Sequence, residues 1–171
     1  MSKGEAMPYE DALRIARKHL IGMLMLPTVE KIAIVGSLRR KSELVQDIDL
    51  QIIGSAYDIA EYFADEGWRY ESGREKRQIF IAPSGVYLNC FYTKMVSWGA
   101  ALMHNTGPSR YNIRKRAVIK KKGGILNQYG LYMPPEGYED DEVGLEYMAG
   151  KTEQDIYDAL DWTYCKPEDR E

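Results

Sequence analysis

Apolar residues recur along this chain with two periods, and the switches between them mark out its elements. In PYEDALRIARKHLIGML, residues 8–24, the positions Leu13, Ala16, Leu20 and Met23 or Leu24 return every three or four residues. That spacing predicts an amphipathic helix with Pro8 among its first residues. His19 lies beside the stripe and reads as a surface or half-buried structural residue. KIAIVG (31–36) is a short apolar run closed by a glycine, a strand entering a turn, and DIDLQII (47–53) is a second strand. IAEYFADEG (59–67) has helical spacing and a glycine stop. RQIFIA (77–82) and VYLNCFY (86–92), joined through PSG, predict a β-hairpin.

Beyond residue 94 the pattern turns mainly helical. SWGAALMHN and SRYNIRKRAVIKKKGG read as two helices separated by the breaker TGP. ILNQYGLYM predicts a short hairpin turning near Gly130, PPEGYEDDEVG a loop, and KTEQDIYDALDW a helix capped by Thr152. The order predicts an α+β fold. A three- or four-stranded mixed sheet flanked by helices is followed by a small helical and α+β C-terminal part.

Composition fits this picture. The 171 residues are 44% hydrophobic and 29% charged, the balance of a folded globular chain. LIGMLML (20–26) is far shorter than the roughly 20 apolar residues that span a bilayer. It also lacks the layout of a secretory signal, so an intracellular protein, cytoplasmic or within a virus-infected host cell, is expected. Cys90 and Cys165 are the only cysteines and make no zinc spacing. Charge is segregated along the chain. Arg110, Arg114, Lys115, Arg116, Lys120, Lys121 and Lys122 lie between His104 and Gly124 with no acid among them, whereas thirteen acids face three bases from Glu136 onward. A basic stretch of this kind is either a solvated helix face or a surface for polyanions.

Chemistry concentrates in GSLRRKSELVQDIDLQII, residues 36–53. Side chains alternate on a strand, so Asp47 and Asp49 share one face while Ile48 and Leu50 enter the core. A buried carboxylate keeps its charge only beside a partner or a cation, and a pair of them suits hard divalent ions. Gly36 and Ser37 follow a strand and precede a short helix. Such a turn offers N–H groups and a hydroxyl to phosphate oxygens, and Arg40 can clamp the same group. Metal carboxylates beside a phosphate cradle indicate nucleotide chemistry.

The run GSLRRKSELVQDID resembles the nucleotidyltransferase signature of the family X DNA polymerases, the group that includes DNA polymerase beta. HNTGPSRYNIRKRA resembles the family segment that opens the nucleotide-selecting subdomain, LNQYGLY its following hairpin, and IYDALDWTYCKPEDRE its C-terminus. The resemblance runs from about residue 9 to the end and is closest to the minimal viral type, with a catalytic palm (1–104) and one C-terminal subdomain (105–171). It implies template-directed DNA synthesis by two-metal phosphoryl transfer, in short-gap repair, by a monomer that binds dNTP and gapped or primer–template DNA. Asp47 and Asp49 would hold two Mg2+ ions, replaceable by Mn2+. Gly36, Ser37 and Arg40 would meet the phosphates, while His104, Asn105, Thr106 and Gly107 would lie by the sugar. Asn112 would reach the base edge, Arg116 the template and Tyr129 the surroundings of the nascent pair. Arg110, Arg114, Lys115, Lys120 and Lys121 would meet DNA phosphates.

Two departures stand out. The family's third carboxylate falls seventeen residues before Thr106, and that position is Asn89. An amide has the shape of a carboxylate but neither its charge nor its basicity, so impaired activity is expected. Natural divergence and an isosteric exchange that traps substrate both account for it, and the otherwise intact signature favours the exchange. Cys90, its neighbour, points the other way and reads as core. Asn105 stands where the family usually has an aromatic residue against the sugar. Two further readings stay open: transfer of a nucleotide to RNA or to a protein hydroxyl, and a catalytically silent protein that binds gapped DNA.

Overall fold

The computed structural model describes residues 5–135 and 144–171. Most of the loop read in PPEGYEDDEVG lies outside the described residues. The chain divides into two compact units, Met1–Thr93 and Lys94–Glu171. A division at residues 104 and 105 would cut the helix Trp98–Thr106, whose Ala100 and Met103 are buried in the core of the second unit. The boundary therefore lies ahead of that helix.

The first unit runs β1 (Met7–Pro8), α1 (Tyr9–Leu24), β2 (Lys31–Ile34), α2 (Gly36–Arg39), β3 (Leu44–Val45) and β4 (Asp47–Ile53). It continues with α3 (Ala56–Asp65), β5 (Arg69–Arg74), β6 (Arg77–Ile81) and β7 (Tyr87–Tyr92). β1 and β3 form a small separate pair. The main sheet has five strands in the order β2-β4-β7-β6-β5, one more than the sequence pattern predicts at most. The additional strand, β5, reads RYESGR, and all six residues are exposed at the sheet edge. It lacks the apolar alternation that would announce it, and its charges suit an unpaired edge. β4 and β7 run parallel, and the other neighbours run antiparallel.

α1 and α3 supply Ala12, Ala16, Met23, Ile59 and Phe63 to one core with Ile48, Leu50, Ile52, Phe80, Leu88 and Cys90 of the sheet. Ser55 caps α3, its hydroxyl accepting from the Asp58 N–H at 3.3 Å. The buried positions of α1 are Ala12, Ala16, His19 and Met23, so the stripe is rotated from the expected one and Leu13 and Leu20 are only half-buried. His19 is thus a core residue with 2% exposure. Its ring meets Trp68 edge-on at 4.8 Å and lies 5.2 Å from Phe63, and its Nδ1 is 3.1 Å from the Tyr62 hydroxyl. An aromatic nest built by α3 and the turn after it draws the imidazole in, which its polarity alone does not foretell.

The second unit comprises α4 (Trp98–Thr106), α5 (Ser109–Lys121), β8 (Ile125–Asn127), β9 (Gly130–Met133), β10 (Glu146–Ala149) and α6 (Glu153–Ala159). The three strands form an antiparallel sheet in the order β10-β9-β8. Met103, Tyr111, Ile119, Leu131, Ile156 and Tyr157 make its core. Thr152 builds a full capping box: its hydroxyl accepts from the Asp155 N–H at 3.0 Å while its own N–H reaches the Asp155 carboxylate at 2.9 Å. A Cβ on Gly99 would fall 2.0 Å from the Thr152 carbonyl carbon, so the start of α4 needs glycine to approach this cap. Arg170 is buried, with one guanidinium nitrogen 2.9 Å from the Glu153 carboxylate and Nε donating to the Cys165 carbonyl at 3.2 Å.

Both packings have measurable consequences. Burial, with help from Lys18, holds His19 below its ordinary pKa. The unfolded chain therefore takes up a proton near pH 6.5 that the folded chain refuses. The stability from a neutral His19 is complete above that pH and is lost as pH falls towards the lowered folded value. Thermal melts from pH 8 to 5 should show this decline, and H19Q should flatten it. In the second unit, breaking a buried ion pair leaves an uncompensated charge, so E153A should cost about 3–5 kcal/mol in urea denaturation.

Candidate active site and nucleic-acid interface

The first unit places its acidic pair on the sheet face away from α1 and α3. Asp47 and Asp49 alternate with the buried Ile48 and Leu50, as strand geometry requires. Parallel register sets Asp49 opposite Asn89 and Asp47 opposite Tyr87, so residue 89 arrives beside both carboxylates from forty positions downstream. The Asn89 Nδ2 donates to Asp49 Oδ1 at 2.7 Å and to Asp47 Oδ2 at 3.2 Å. Its Oδ1 accepts from Arg77 Nη2 at 2.8 Å. Cys90 faces the opposite way, fully buried, and burial pushes its thiol pKa up.

The Asp49 carboxyl is pushed up to about 7, chiefly by burial and then by the charge of Asp47. The Asn89 hydrogen bond, Arg77 and Arg40 pull it back in part. Two carboxyls held half-buried side by side form a donor set short of positive charge, which is the state a divalent cation relieves. The carboxylates fit such an ion. Asn89 fits only if its amide turns, because it now offers nitrogen. Among the described residues, no group of three or more His, Cys, Asp and Glu side chains gathers to hold a metal.

Gly36 opens α2 at φ +63°, and a Cβ there would fall 2.0 Å from Asp49 Oδ2. The Gly-Ser turn is therefore pressed directly against the acidic pair. Ser37 and Arg40 are half-buried along α2 and its end, and Arg40 is near enough to act electrostatically on Asp49. Arg77 is the residue the sequence reading passed over. The hairpin pairs Ile79 with Asn89 and Arg77 with Phe91, so its side chain lies on the Asn89 face. Counting back from the PSG turn would have found it.

The second unit gathers a different set. The Asn112 Nδ2 donates to the His104 carbonyl at 2.8 Å, and Arg116 Nη2 meets His104 Nδ1. The three line one small cleft with Ala100, Met103, Leu126 and Asn127. Burial and then Arg116 lower the His104 pKa, so the ring is neutral and able to accept from the guanidinium. Asn105 is half-buried, Thr106 is buried, and Gly107 follows at φ 65°. Arg110, Arg114, Lys120 and Lys121 are exposed along α5, with Ile113 and Val118 also exposed on that helix. Lys115 turns inward, its ammonium 4.0 Å from the Trp162 ring centroid, and Arg114 reaches the Glu171 backbone carbonyl. Tyr129 is 42% exposed at the β8–β9 turn, where its N–H donates to Asn127 Oδ1 at 2.8 Å.

Residues 101–171 match the family model of the DNA polymerase beta thumb. The chain is 31% identical over 158 residues to the Repair DNA polymerase X of African swine fever virus, isolate Pig/Kenya/KEN-50/1950. That match spans 87% of this chain and 86% of the relative. The protein of the same name from isolate Warthog/Namibia/Wart80/1980 is 30% identical with the same coverage. The mixed sheet flanked by helices and the thumb unit that follows define the polymerase beta type of α+β fold. Within that class, the chain belongs to the family X DNA polymerases.

The contact at Gly36 gives a direct check of the local geometry. G36A adds a Cβ at a positive φ and against a carboxylate, so it should destabilise the first unit by about 1–3 kcal/mol in urea denaturation.

Proposed function

We propose that this chain is a template-directed DNA polymerase of the short-gap-filling kind, which adds a deoxynucleotide to a primer 3′-hydroxyl and is slowed by asparagine at position 89. The observation that carries this reading is the convergence of Asp47, Asp49 and the side chain of residue 89 on one face of β4 and β7 in a member of this family. A repair role is taken from the names of its relatives.

Asp47 and Asp49 would hold divalent ions, magnesium with manganese as a substitute. Such ions, when bound, stabilise both the attacking and the leaving oxygen of phosphoryl transfer. Ser37 and Arg40 bind the triphosphate of the incoming dNTP, which the close packing of the Gly36 turn on Asp49 would hold beside the acidic pair. In the second unit, His104, Asn105, Thr106 and Gly107 serve the sugar, Asn112 the base edge, and Arg116 and Tyr129 the templating pair. The exposed face of α5 neutralises DNA phosphates through Arg110, Arg114, Lys120 and Lys121. Asn89 cannot take the proton of the 3′-hydroxyl, which a carboxylate at that position can.

A second reading has one observation in its favour. Asn89 satisfies both carboxylates through hydrogen bonds of its own, an arrangement suited to a protein that binds gapped DNA without extending it.

Primer extension on a one-nucleotide gap with Mg2+ separates the two. N89D should extend about 10²–10⁴ times faster than the unsubstituted chain, the usual worth of a general base. Equal extension by both would remove residue 89 from the active site, and binding without extension by either would select the silent protein. DNA affinity should fall steeply with salt. Replacing Lys121 by Gln should reduce the slope of log K against log salt by about 0.9, the value of one lost phosphate contact.

A further inference from the structure

The link from Arg77 through Asn89 to the acidic pair has a logic of its own. An arginine carries only donors, and ionised carboxylates carry only acceptors. A side-chain amide placed between them has one orientation that satisfies both sides, with its oxygen on the guanidinium and its nitrogen on the carboxylates. That orientation is present here, with the oxygen 2.8 Å from Arg77 and the nitrogen 2.7 Å from Asp49 and 3.2 Å from Asp47. Turning the amide over would set NH2 against guanidinium and oxygen against two carboxylates. Arg77 is itself anchored: it pairs with Phe91 across β6 and β7, and its guanidinium carbon lies 5.2 Å from the Phe91 ring centroid. Its Nε is buried without a hydrogen-bond partner, so the head group is held by its bond to Asn89 and not by a saturated network of its own.

We propose that Arg77 is a positioning residue that locks the Asn89 amide with its nitrogen towards Asp47 and Asp49, so that the amide occupies the place of a cation. The inference rests on the reading of this face as a cation site. A divalent ion entering the pair must displace two hydrogen bonds to charged acceptors, and the oxygen that would replace them as a ligand is already committed to Arg77. The site therefore takes divalent ions weakly for two linked reasons, the missing charge at residue 89 and the lock behind it. Freeing the lock lets the amide turn and present Oδ1 as a ligand.

The test is a cycle of four proteins: the unsubstituted chain, R77M, N89D and the double variant. Mn2+ binding is measured by the loss of the free-ion paramagnetic resonance signal, without DNA or nucleotide. R77M removes a positive charge near the pair in both backgrounds, so some gain in affinity is common to both. The lock adds a gain only where residue 89 is an amide, about fivefold or more, the worth of one net hydrogen bond. A larger gain from R77M in the unsubstituted chain than in the N89D background supports the proposal. Equal gains, with N89D binding tightly, overturn it while leaving the cation reading intact. Weak binding by all four proteins sinks the cation reading and this inference with it.

A second readout needs no substitution. Both Asn89 Nδ2 protons should resonate downfield of a free amide and exchange slowly in the metal-free chain. Resonances at free-amide positions would overturn the lock.

Discussion

The register of β4 against β7 is the constraint on which the site depends. It is the one parallel pairing in the five-stranded sheet, and it can form only after the chain has passed through α3, β5 and β6. Because side chains alternate with period two, a slip of one residue would carry Asn89 into the core and Cys90 to the acidic face. The slip is opposed from the other side of the sheet. Ile48, Leu50, Leu88 and Cys90 are all fully buried there against α1 and α3. The hydrophobic face thus fixes the position of the polar one, and the chemistry of the acidic pair is set by packing it never touches.

On the polar face the balance is electrostatic. Asp47 and Asp49 repel each other, and the close approach of the Gly36 turn leaves Asp49 no room to withdraw. What holds the pair together within the chain is hydrogen bonding from Asn89, backed by Arg77. With aspartate at residue 89, the same backbone would gather three negative groups, and their compensation would have to come from Arg77, Arg40 and bound cations. The amide shifts that compensation from ions to the protein itself.

Much of this was legible in the sequence because strand periodicity and turn residues are local signals. DIDLQII announces both its buried side and its acidic side, and PSG between two apolar runs fixes a hairpin. The α+β order and the place of Asn89 follow from such signals together with the family resemblance. What stayed hidden depends on tertiary surroundings. β5 is polar on both faces, so only its pairing with β6 makes it a strand. His19 is polar by type and is buried because Tyr62, Phe63 and Trp68 surround it. Lys115 belongs to the basic run by sequence, but its ammonium lies on Trp162, forty-seven positions away. Arg77 lay within reach of register counting, but its significance appears only once the amide is seen between two kinds of partner.

The second unit has a different dependence on chain order. Its core takes Ile156 and Tyr157 from α6, its first helix rests at Gly99 on the Thr152 cap, and its buried ion pair is completed by Arg170. The first unit needs nothing beyond Thr93 for its own core. During synthesis on the ribosome, the sheet carrying Asp47 and Asp49 can therefore close early. The basic α5 must wait as an unfinished, exposed helix until the residues up to Arg170 have emerged. For that interval the growing chain carries a folded first unit of nearly balanced charge, thirteen acids to twelve bases, beside an unpacked cationic segment whose basic residues are open to polyanions before their own fold is complete.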